Sequence, residues 1–132
     1  MFTLNPTAHH LAHAPLIKDN LTVRKPMRLA DGKRLSVQAS EHHYCAPRPD
    51  GTTSVAPGDY TSVEVAYAEG EAHDMVNPTA DPLLSEAARV QWAARSDGAA
   101  GSVHVFAFVP VALVNALVEA HGGLDPDHYP QP

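Results

Sequence analysis

The sequence predicts an α+β fold: a single small domain in which two helices pack on an antiparallel sheet of about four strands. The chain has 132 residues, which is the usual size of one domain. Its 12 prolines and 8 glycines favour short elements and many turns over a helical bundle. The hydrophobic periods follow the order strand, strand, strand, helix, strand, helix, which is typical of helices packed on an antiparallel sheet.

The chain divides by composition into three parts. Residues 1–20 contain two prolines, three histidines and no clear hydrophobic period, and we expect a histidine-rich N-terminal extension there. Within it, a short helical turn is predicted over 7–14. Residues 21–123 carry the periodic segments and form the predicted α+β core domain. Residues 124–132 are polar and proline-rich, so we expect a flexible C-terminal tail.

A β-hairpin is predicted over residues 21–40. Asp31 and Gly32 are typical of a type I′ turn, in which both central residues take a positive φ. After the turn, apolar and polar residues alternate over 35–40, as in a half-buried strand. Pro26 interrupts the preceding strand. Because proline cannot donate a ladder hydrogen bond, we expect an edge strand or a bulge there.

The middle of the chain predicts one strand and one helix. A loop rich in proline and glycine over 46–59 leads to an alternating segment over 60–68, which indicates the strand. Asp81 and Pro82 are typical of a helix start, with Asp as N-cap and Pro at the first position. The apolar stripe that follows continues to Ala94.

The strand predicted over 103–109 is apolar on both faces. It follows a break over 97–101, and its alternation places Phe106 and Phe108 on the same face. Two apolar faces indicate a central strand or a strand at a subunit interface, so we expect a homo-oligomer. A last helix is predicted over 110–121, because apolar residues recur at helical spacing and two glycines supply the C-terminal cap.

Charge is unevenly distributed along the chain. Residues 1–48 hold seven of the nine cations and sum to +4, whereas residues 49–132 sum to −10. The net charge of −6 argues against binding to duplex nucleic acid, which depends on many phosphate contacts. A basic patch from the first half would either pair with the acidic half or hold a small anion such as a phosphorylated ligand.

The composition also bears on the cellular compartment. The longest apolar run, Val105–Val114, has ten residues, about half of what a membrane-spanning helix needs, so no membrane association is expected. The first residues lack the basic region and apolar stretch of a secretory signal. One cysteine, Cys45, cannot form an internal disulfide, which agrees with a reducing, cytoplasmic setting.

Two clusters of reactive side chains lack the pattern of a catalytic or metal site. His9, His10 and His13 place two rings on one helical face, but the glutamate of a zinc-protease helix is missing. His43 and Cys45 share one face of an extended segment, yet residues two apart rarely meet as a Cys–His nucleophile pair, and structural zinc needs more ligands. We therefore predict no catalytic residue, no metal ligand and no cofactor, and expect the cysteine to be a small buried hydrophobe.

Arg48 lies between two prolines and is the best candidate for a ligand contact. The prolines fix the backbone, which lowers the entropy lost when the guanidinium binds a phosphate or carboxylate. The alternative is an ion pair of Arg48 with Glu41 or Asp50. The neighbouring histidines and tyrosine would stack on a base or hydrogen-bond to it. The full set of predicted ligand-binding residues adds two arginines of the first strand and one aromatic residue: Arg48, His43, Tyr44, His42, Arg24, Arg28 and Phe106.

Five short motifs lie between residues 27 and 123: L-S-V-Q-A-S over 35–40, H-Y-C-A-P-R over 43–48, Y-T-S-V-E-V over 60–65, F-V-P-V over 108–111 and H-G-G over 121–123. Together they resemble a family of small phage- and prophage-borne proteins, the nucleotide sponges of the Thoeris anti-defence type. The N-terminal extension and the segment 97–101 depart from that pattern.

The resemblance implies a protein that binds cyclic ADP-ribose isomers or related cyclic nucleotides without hydrolysing them, as an oligomer with ligands at subunit contacts. It also implies that Arg48 contacts a phosphate and that His43 and Tyr44 line the same pocket. Two alternatives stay open. One is a protein–protein inhibitor such as an anti-CRISPR, whose acidic half mimics nucleic acid. The other is a small metal-binding protein.

Overall fold

A computed structural model describes residues 5–17, 20–50, 52–69 and 74–130. It confirms the α+β class, but the sheet has five strands where about four were expected, a separate two-stranded sheet is added, and there are three helices. The elements in chain order are α1 Pro6–His13, β1 Leu16–Ile17, β2 Asn20–Arg24, β3 Met27–Arg28, β4 Arg34–Gln38, β5 Ser62–Ala68, α2 Glu86–Ala93, β6 Ser96–Ala100, β7 Val103–Pro110 and α3 Val111–Ala120.

The main sheet is antiparallel throughout, in the order β3-β4-β5-β7-β6, and β1 pairs with β2 in the smaller sheet. Pro26 separates β2 from β3, as expected of a residue without an N–H group. The hairpin between β3 and β4 is confirmed, but its turn is not type I′. Only Gly32 takes a positive φ, of 90°, and its N–H donates to Leu29 O at 3.0 Å, as in a three-residue loop ending in a left-handed glycine.

One face of the main sheet and the helices enclose the core. Burial of these apolar side chains is the main force that holds sheet and helices together. The fully buried residues include strand positions and the inward faces of α2 and α3: Leu35, Val37, Val63, Val65, Val109, Trp92, Val114, Leu117 and Val118. No helix among the residues that the structure describes is long and apolar enough to cross a membrane.

Both chain ends pack on this core, so the expected extension over 1–20 and flexible tail over 124–132 are wrong for their described parts. Leu11 of α1 is buried, and so are Leu124 and Tyr129 near the C-terminus. Thr7 Oγ1 donates to Asn115 Oδ1 of α3 at 2.6 Å, which joins the first helix to the last. Composition misses this because each end contributes only one or two apolar anchors.

The helix predicted from Asp81 begins later, at Glu86. Ser85 is its N-cap, and Ser85 Oγ accepts a hydrogen bond from Ala88 N at 3.1 Å. Asp81 caps nothing in α2, because Asp81 Oδ1 accepts from Leu83 N and Oδ2 lies 2.6 Å from His121 Nε2. A distant partner therefore overrides the local helix-start signal.

The break predicted over 97–101 is largely a strand. β6 pairs with β7 and forms an edge of the sheet. Gly98, with φ of 89°, lies in the register shift between Ser96 and Ala99, and only Gly101 and Ser102 form the turn. Glycine thus accommodates the bulge here and does not end the strand.

A second bulge, between β5 and β7, makes the predicted faces of β7 wrong. The pairing of β5 with β7 shifts by one residue between Val63 and Val65. Phe106 therefore points into the core, 2% exposed, whereas Phe108 is 41% exposed. The two rings do not share a face, because one extra residue in a strand reverses the alternation beyond it.

Candidate functional site

An exposed aromatic pair, Tyr44 and Phe108, marks the candidate site. The two ring centroids are 5.8 Å apart and the planes meet at 43°. Tyr44 is 43% and Phe108 41% exposed, although large aromatic rings usually bury most of their surface. Adjacent exposed aromatic rings are a common feature of binding sites. We call this pair the aromatic platform.

The backbone at Phe108 is strained in a way that turns its ring outward. Phe108 is the one residue other than glycine with a positive φ, 51°, in the part of the chain that the structure describes. Its N–H donates to Tyr44 O at 3.2 Å, and its carbonyl accepts from Arg95 Nη1 at 3.1 Å. Such a conformation costs free energy for a bulky residue and persists only where its surroundings impose it, often at functional sites.

The other half of the platform is held by the turn that follows β4. His42 and Tyr44 are exposed while His43 and Cys45 are buried, as the alternation predicts. Ser40 Oγ accepts from His42 N at 3.0 Å and lies 2.6 Å from His43 Nδ1. The anchored histidine and the buried cysteine fix the segment between them, so the tyrosine ring is presented to solvent.

Two arginines flank the platform. Arg48 is exposed, and its Nη2 donates to His43 O at 3.2 Å. It forms no ion pair with Glu41, with Asp50 or with any other residue that the structure describes, so the predicted alternative is wrong. Arg95 is exposed as well and contributes one hydrogen bond to the platform backbone. Most N–H donors of both guanidinium groups are therefore available to an anion.

Glu64 of β5 is bound to the backbone of the tyrosine. Its Oε1 accepts from Tyr44 N at 3.2 Å. The pKa of Glu64 is raised, mainly by burial and also by the Asp97 carboxylate. The Tyr44 N–H and Arg48 have the opposite effect and lower this pKa. The site therefore combines two aromatic rings, two cations and one carboxylate whose charge is only partly compensated.

Three of the predicted ligand-binding residues lie elsewhere, and a fourth, His43, is buried behind the platform and hydrogen-bonded to Ser40. Phe106 is in the core, where its ring meets Trp92 edge to face at 5.6 Å. Arg28 lies opposite Arg34 at the start of β4, whereas the platform follows the end of that strand, about 13 Å away at the rise of a strand. Its charge acts on Asp74. These two residues are therefore not part of the site.

Arg24 has a structural role. Its Nε donates to Leu11 O at 3.0 Å and its Nη1 to Ala39 O at 2.8 Å. Both bonds join β2 to neighbouring segments of the core. The guanidinium lowers the pKa of His43, after the larger effect of burial. Arg24 thus supports the turn behind the platform rather than facing a ligand.

The buried groups behind the platform are not arranged for nucleophilic chemistry. Cys45 Sγ donates to the carbonyl of Ser40 at 3.4 Å, and burial raises the pKa of the thiol. A thiol with a raised pKa is a poor nucleophile at neutral pH. The His43 ring is turned toward Ser40 and not toward the thiol. Cys45 therefore agrees with the expectation that it is a small buried hydrophobic residue.

The N-terminal histidines are divided between core and surface. His10 is fully buried, and its Nε2 donates to Val37 O at 3.0 Å. His9 and His13 lie on one helical face with centroids 4.7 Å apart, and His9 Nε2 donates to Pro130 O at 2.6 Å. Within the described residues, no group of three or more His, Cys, Asp or Glu side chains is placed to hold a metal ion.

The loop after the platform forms an open polar groove of about 480 Å³. That volume lies within the range of about 300–1,000 Å³ that ligand sites occupy. Two of its six lining residues are acidic and would repel an anion: Glu41, Pro49, Asp50, Thr52, Thr53 and Ser54. The platform with its arginines is therefore the better site for a phosphorylated ligand.

The sequence missed Phe108, Glu64 and Arg95 as site residues. Glu64 carried one usable signal, because it is a charged residue in the middle of an apolar strand. Phe108 carried none, since the bulge that exposes it depends on pairing with β5. Arg95 reaches the site only because β6 folds back along β7.

Comparisons with known proteins found no match: no protein-family model, no curated protein and no solved structure matches the chain.

Proposed function

We propose that this protein is a non-enzymatic phage counter-defence protein that binds and sequesters a small phosphorylated immune signal in the cytoplasm of the host cell. The ligand belongs to the cyclic ADP-ribose or cyclic nucleotide class. The observation that carries the proposal is the exposed Tyr44–Phe108 pair between Arg48 and Arg95. A nucleotide has the matching parts, a planar base and an anionic phosphate.

The energetics of such a site favour nucleotides over simple anions. Stacking a base on an aromatic side chain contributes about 1–3 kcal/mol. Charge-assisted hydrogen bonds from a guanidinium to a phosphate contribute about 1.5–3 kcal/mol each. An inorganic anion obtains only the second contribution, and an uncharged aromatic molecule only the first. A ligand with both groups is therefore preferred.

Binding without turnover is supported by the state of the reactive groups near the platform. The Cys45 thiol is buried with a raised pKa. The His43 ring is hydrogen-bonded to Ser40 Oγ, and burial lowers its pKa. Both groups contribute to the architecture of the turn and face away from the platform side of the segment.

The test is calorimetric titration of the wild-type protein, Phe108→Ala and Tyr44→Ala with cyclic ADP-ribose isomers and with cyclic mono- and dinucleotides. We expect one ligand to bind wild type and each variant to bind it about tenfold or more weakly. Val103→Ala is the matched control, because Val103 is an exposed apolar residue of the same strand, about 16 Å away. Chromatography of the released ligand should recover it unchanged.

Unchanged affinity of both platform variants would place the ligand elsewhere, and recovery of a hydrolysed product would contradict sequestration. The second candidate function is inhibition of a partner protein. Leu83 and Val90 are exposed apolar side chains in and before α2, in the acidic half of the chain. Loss of counter-defence activity in a Leu83→Ser, Val90→Ser double variant with normal ligand binding would favour that function.

A further inference from the structure

Glu64 is hydrogen-bonded to the backbone that carries the aromatic platform. Its Oε1 accepts from the backbone N–H of Tyr44 at 3.2 Å, and the carbonyl of Tyr44 accepts from Phe108 N. These hydrogen bonds connect the carboxylate with the backbone of both platform residues. The second oxygen, Oε2, has no hydrogen-bond partner among the residues that the structure describes.

The site contains groups of both charges. Arg48 and Arg95 offer guanidinium groups to an anion. Glu64 is half-buried, and the Asp97 carboxylate raises its pKa while Arg48 lowers it. A phosphate near this pair of acids would be repelled, whereas N–H donors would relieve the poorly compensated charge. The phosphate therefore belongs with the arginines and a donor-rich base edge with Glu64.

The donor pattern of the bases then limits the choice. A carboxylate accepts two parallel N–H groups through its two oxygens. Guanine presents such a pair side by side, its ring N–H and its exocyclic amino group. Hypoxanthine has the ring N–H alone, adenine and cytosine place one amino group beside an acceptor nitrogen, and uracil places one N–H between two carbonyl oxygens.

We infer that Glu64 is a specificity-determining residue that selects guanine, so that the sequestered signal is a guanine-containing cyclic nucleotide rather than an adenine-containing one. This inference rests on the proposed function and narrows its ligand class. Glu64 Oε1 keeps its bond to Tyr44 N, since a carboxylate oxygen has a second lone pair for the ligand.

The test uses 3′,5′-cyclic GMP, cyclic IMP and cyclic AMP as probes in calorimetric titrations. We expect affinity to decrease in that order. Each lost charge-assisted hydrogen bond should weaken binding by about 10- to 100-fold. Glu64→Gln keeps the acceptor for Tyr44 N but replaces the other oxygen by an NH₂ group. It should weaken cyclic GMP by about tenfold or more and reduce the preference over cyclic AMP.

Glu69→Gln is the control, because Glu69 directly follows the same strand but lies 3.3 Å from His104. It should leave all three affinities unchanged. Equal binding of cyclic GMP and cyclic AMP, or tighter binding of cyclic AMP or a cyclic ADP-ribose isomer, would overturn the guanine inference. If Phe108→Ala still weakens that binding, the proposed function stands. If no nucleotide binds, both proposals fail.

Discussion

His121 Nε2 lies 2.6 Å from Asp81 Oδ2, and both side chains are almost fully buried, at 3% and 4% exposure. The other ring nitrogen, Nδ1, lies 2.6 Å from Asp31 Oδ2. Because carboxylates only accept hydrogen bonds, both nitrogens carry protons and the ring is an imidazolium. It joins the end of α3 to the β3–β4 turn and to the segment before α2.

His121→Ala should destabilise the fold by about 3–5 kcal/mol near pH 6, because it leaves a buried carboxylate without its partner. Burial lowers the pKa of His121, but the hydrogen bonds that its ring donates to Asp81 and Asp31 outweigh this effect and raise the pKa above 6.5. The stabilisation is therefore complete below pH 6.5 and is lost as pH rises through the folded-state pKa. Urea unfolding at about pH 6 and pH 9 measures both effects.

His128→Ala is the control, since His128 faces Asp125 at 3.6 Å with 45% of its side chain exposed. Exposed pairs of this kind contribute about 0–1 kcal/mol. Equal losses in the two variants would mean that the buried bridge is not a stabilising feature.

His10 should give the opposite pH dependence. Burial lowers its pKa from 6.5 to about 4, while the ring stays neutral between Val37 O and the hydroxyl of Tyr129. Between these pH values the unfolded chain binds a proton that the folded chain rejects, so stability falls as pH decreases. The loss from this group is about 3 kcal/mol. His10→Gln should flatten urea-unfolding stability between about pH 6.5 and pH 4 relative to wild type.

Arg48→Ala should weaken binding of a phosphorylated ligand by about 10- to 100-fold, because one charge-assisted hydrogen bond is lost. Arg48→Lys should also bind more weakly, since an ammonium cannot form the bidentate contact. Unfolding free energies should change by no more than about 0.5 kcal/mol, as the side chain is exposed. Titration and urea unfolding of the same preparations separate the two effects, and Lys33→Ala, a distant exposed cation, is the control.

Cys45→Ser should leave ligand binding unchanged and reduce stability. The thiol is buried in the core cluster and donates only to Ser40 O, so the serine hydroxyl replaces an apolar contact by a buried polar group at a cost of about 1–3 kcal/mol. Thermal unfolding and titration test this. A folded variant that no longer binds ligand would instead assign the thiol a direct role.

Assembly as a homo-oligomer stays a prediction, but β7 exposes less apolar surface than the sequence indicated. Phe106 is buried within the chain, so Phe108 and Val103 are the apolar side chains that β7 leaves exposed. If subunits meet at the platform, Phe108→Asp should dissociate the oligomer, because a charge would be buried in the contact. Light scattering at micromolar concentration measures the mass, and a monomeric wild type would exclude assembly.

The sequence by itself determined the elements whose pattern is local. The last helix and β5 match the predicted segments closely, because alternation and helical spacing report which face of a segment is apolar. The segment from His42 to Cys45 keeps the predicted inward and outward positions, although it is a turn and not a continuation of β4. Arg48 and Tyr44 were predicted as site residues on another local signal, the prolines on both sides of Arg48 and the polar side chains next to it.

Only the tertiary structure decided which distant residues meet. The buried His121 bridge spans 40 residues to Asp81 and 90 to Asp31, and no local pattern encodes such separations. Phe106 and Phe108 were expected on one face but lie on opposite faces, since the bulge that reverses the alternation is set by pairing with β5. α1 packs on the core because Leu11 and Thr7 find partners there. Periodicity reports a segment's apolar face, whereas contacts between segments depend on how several such faces pack together.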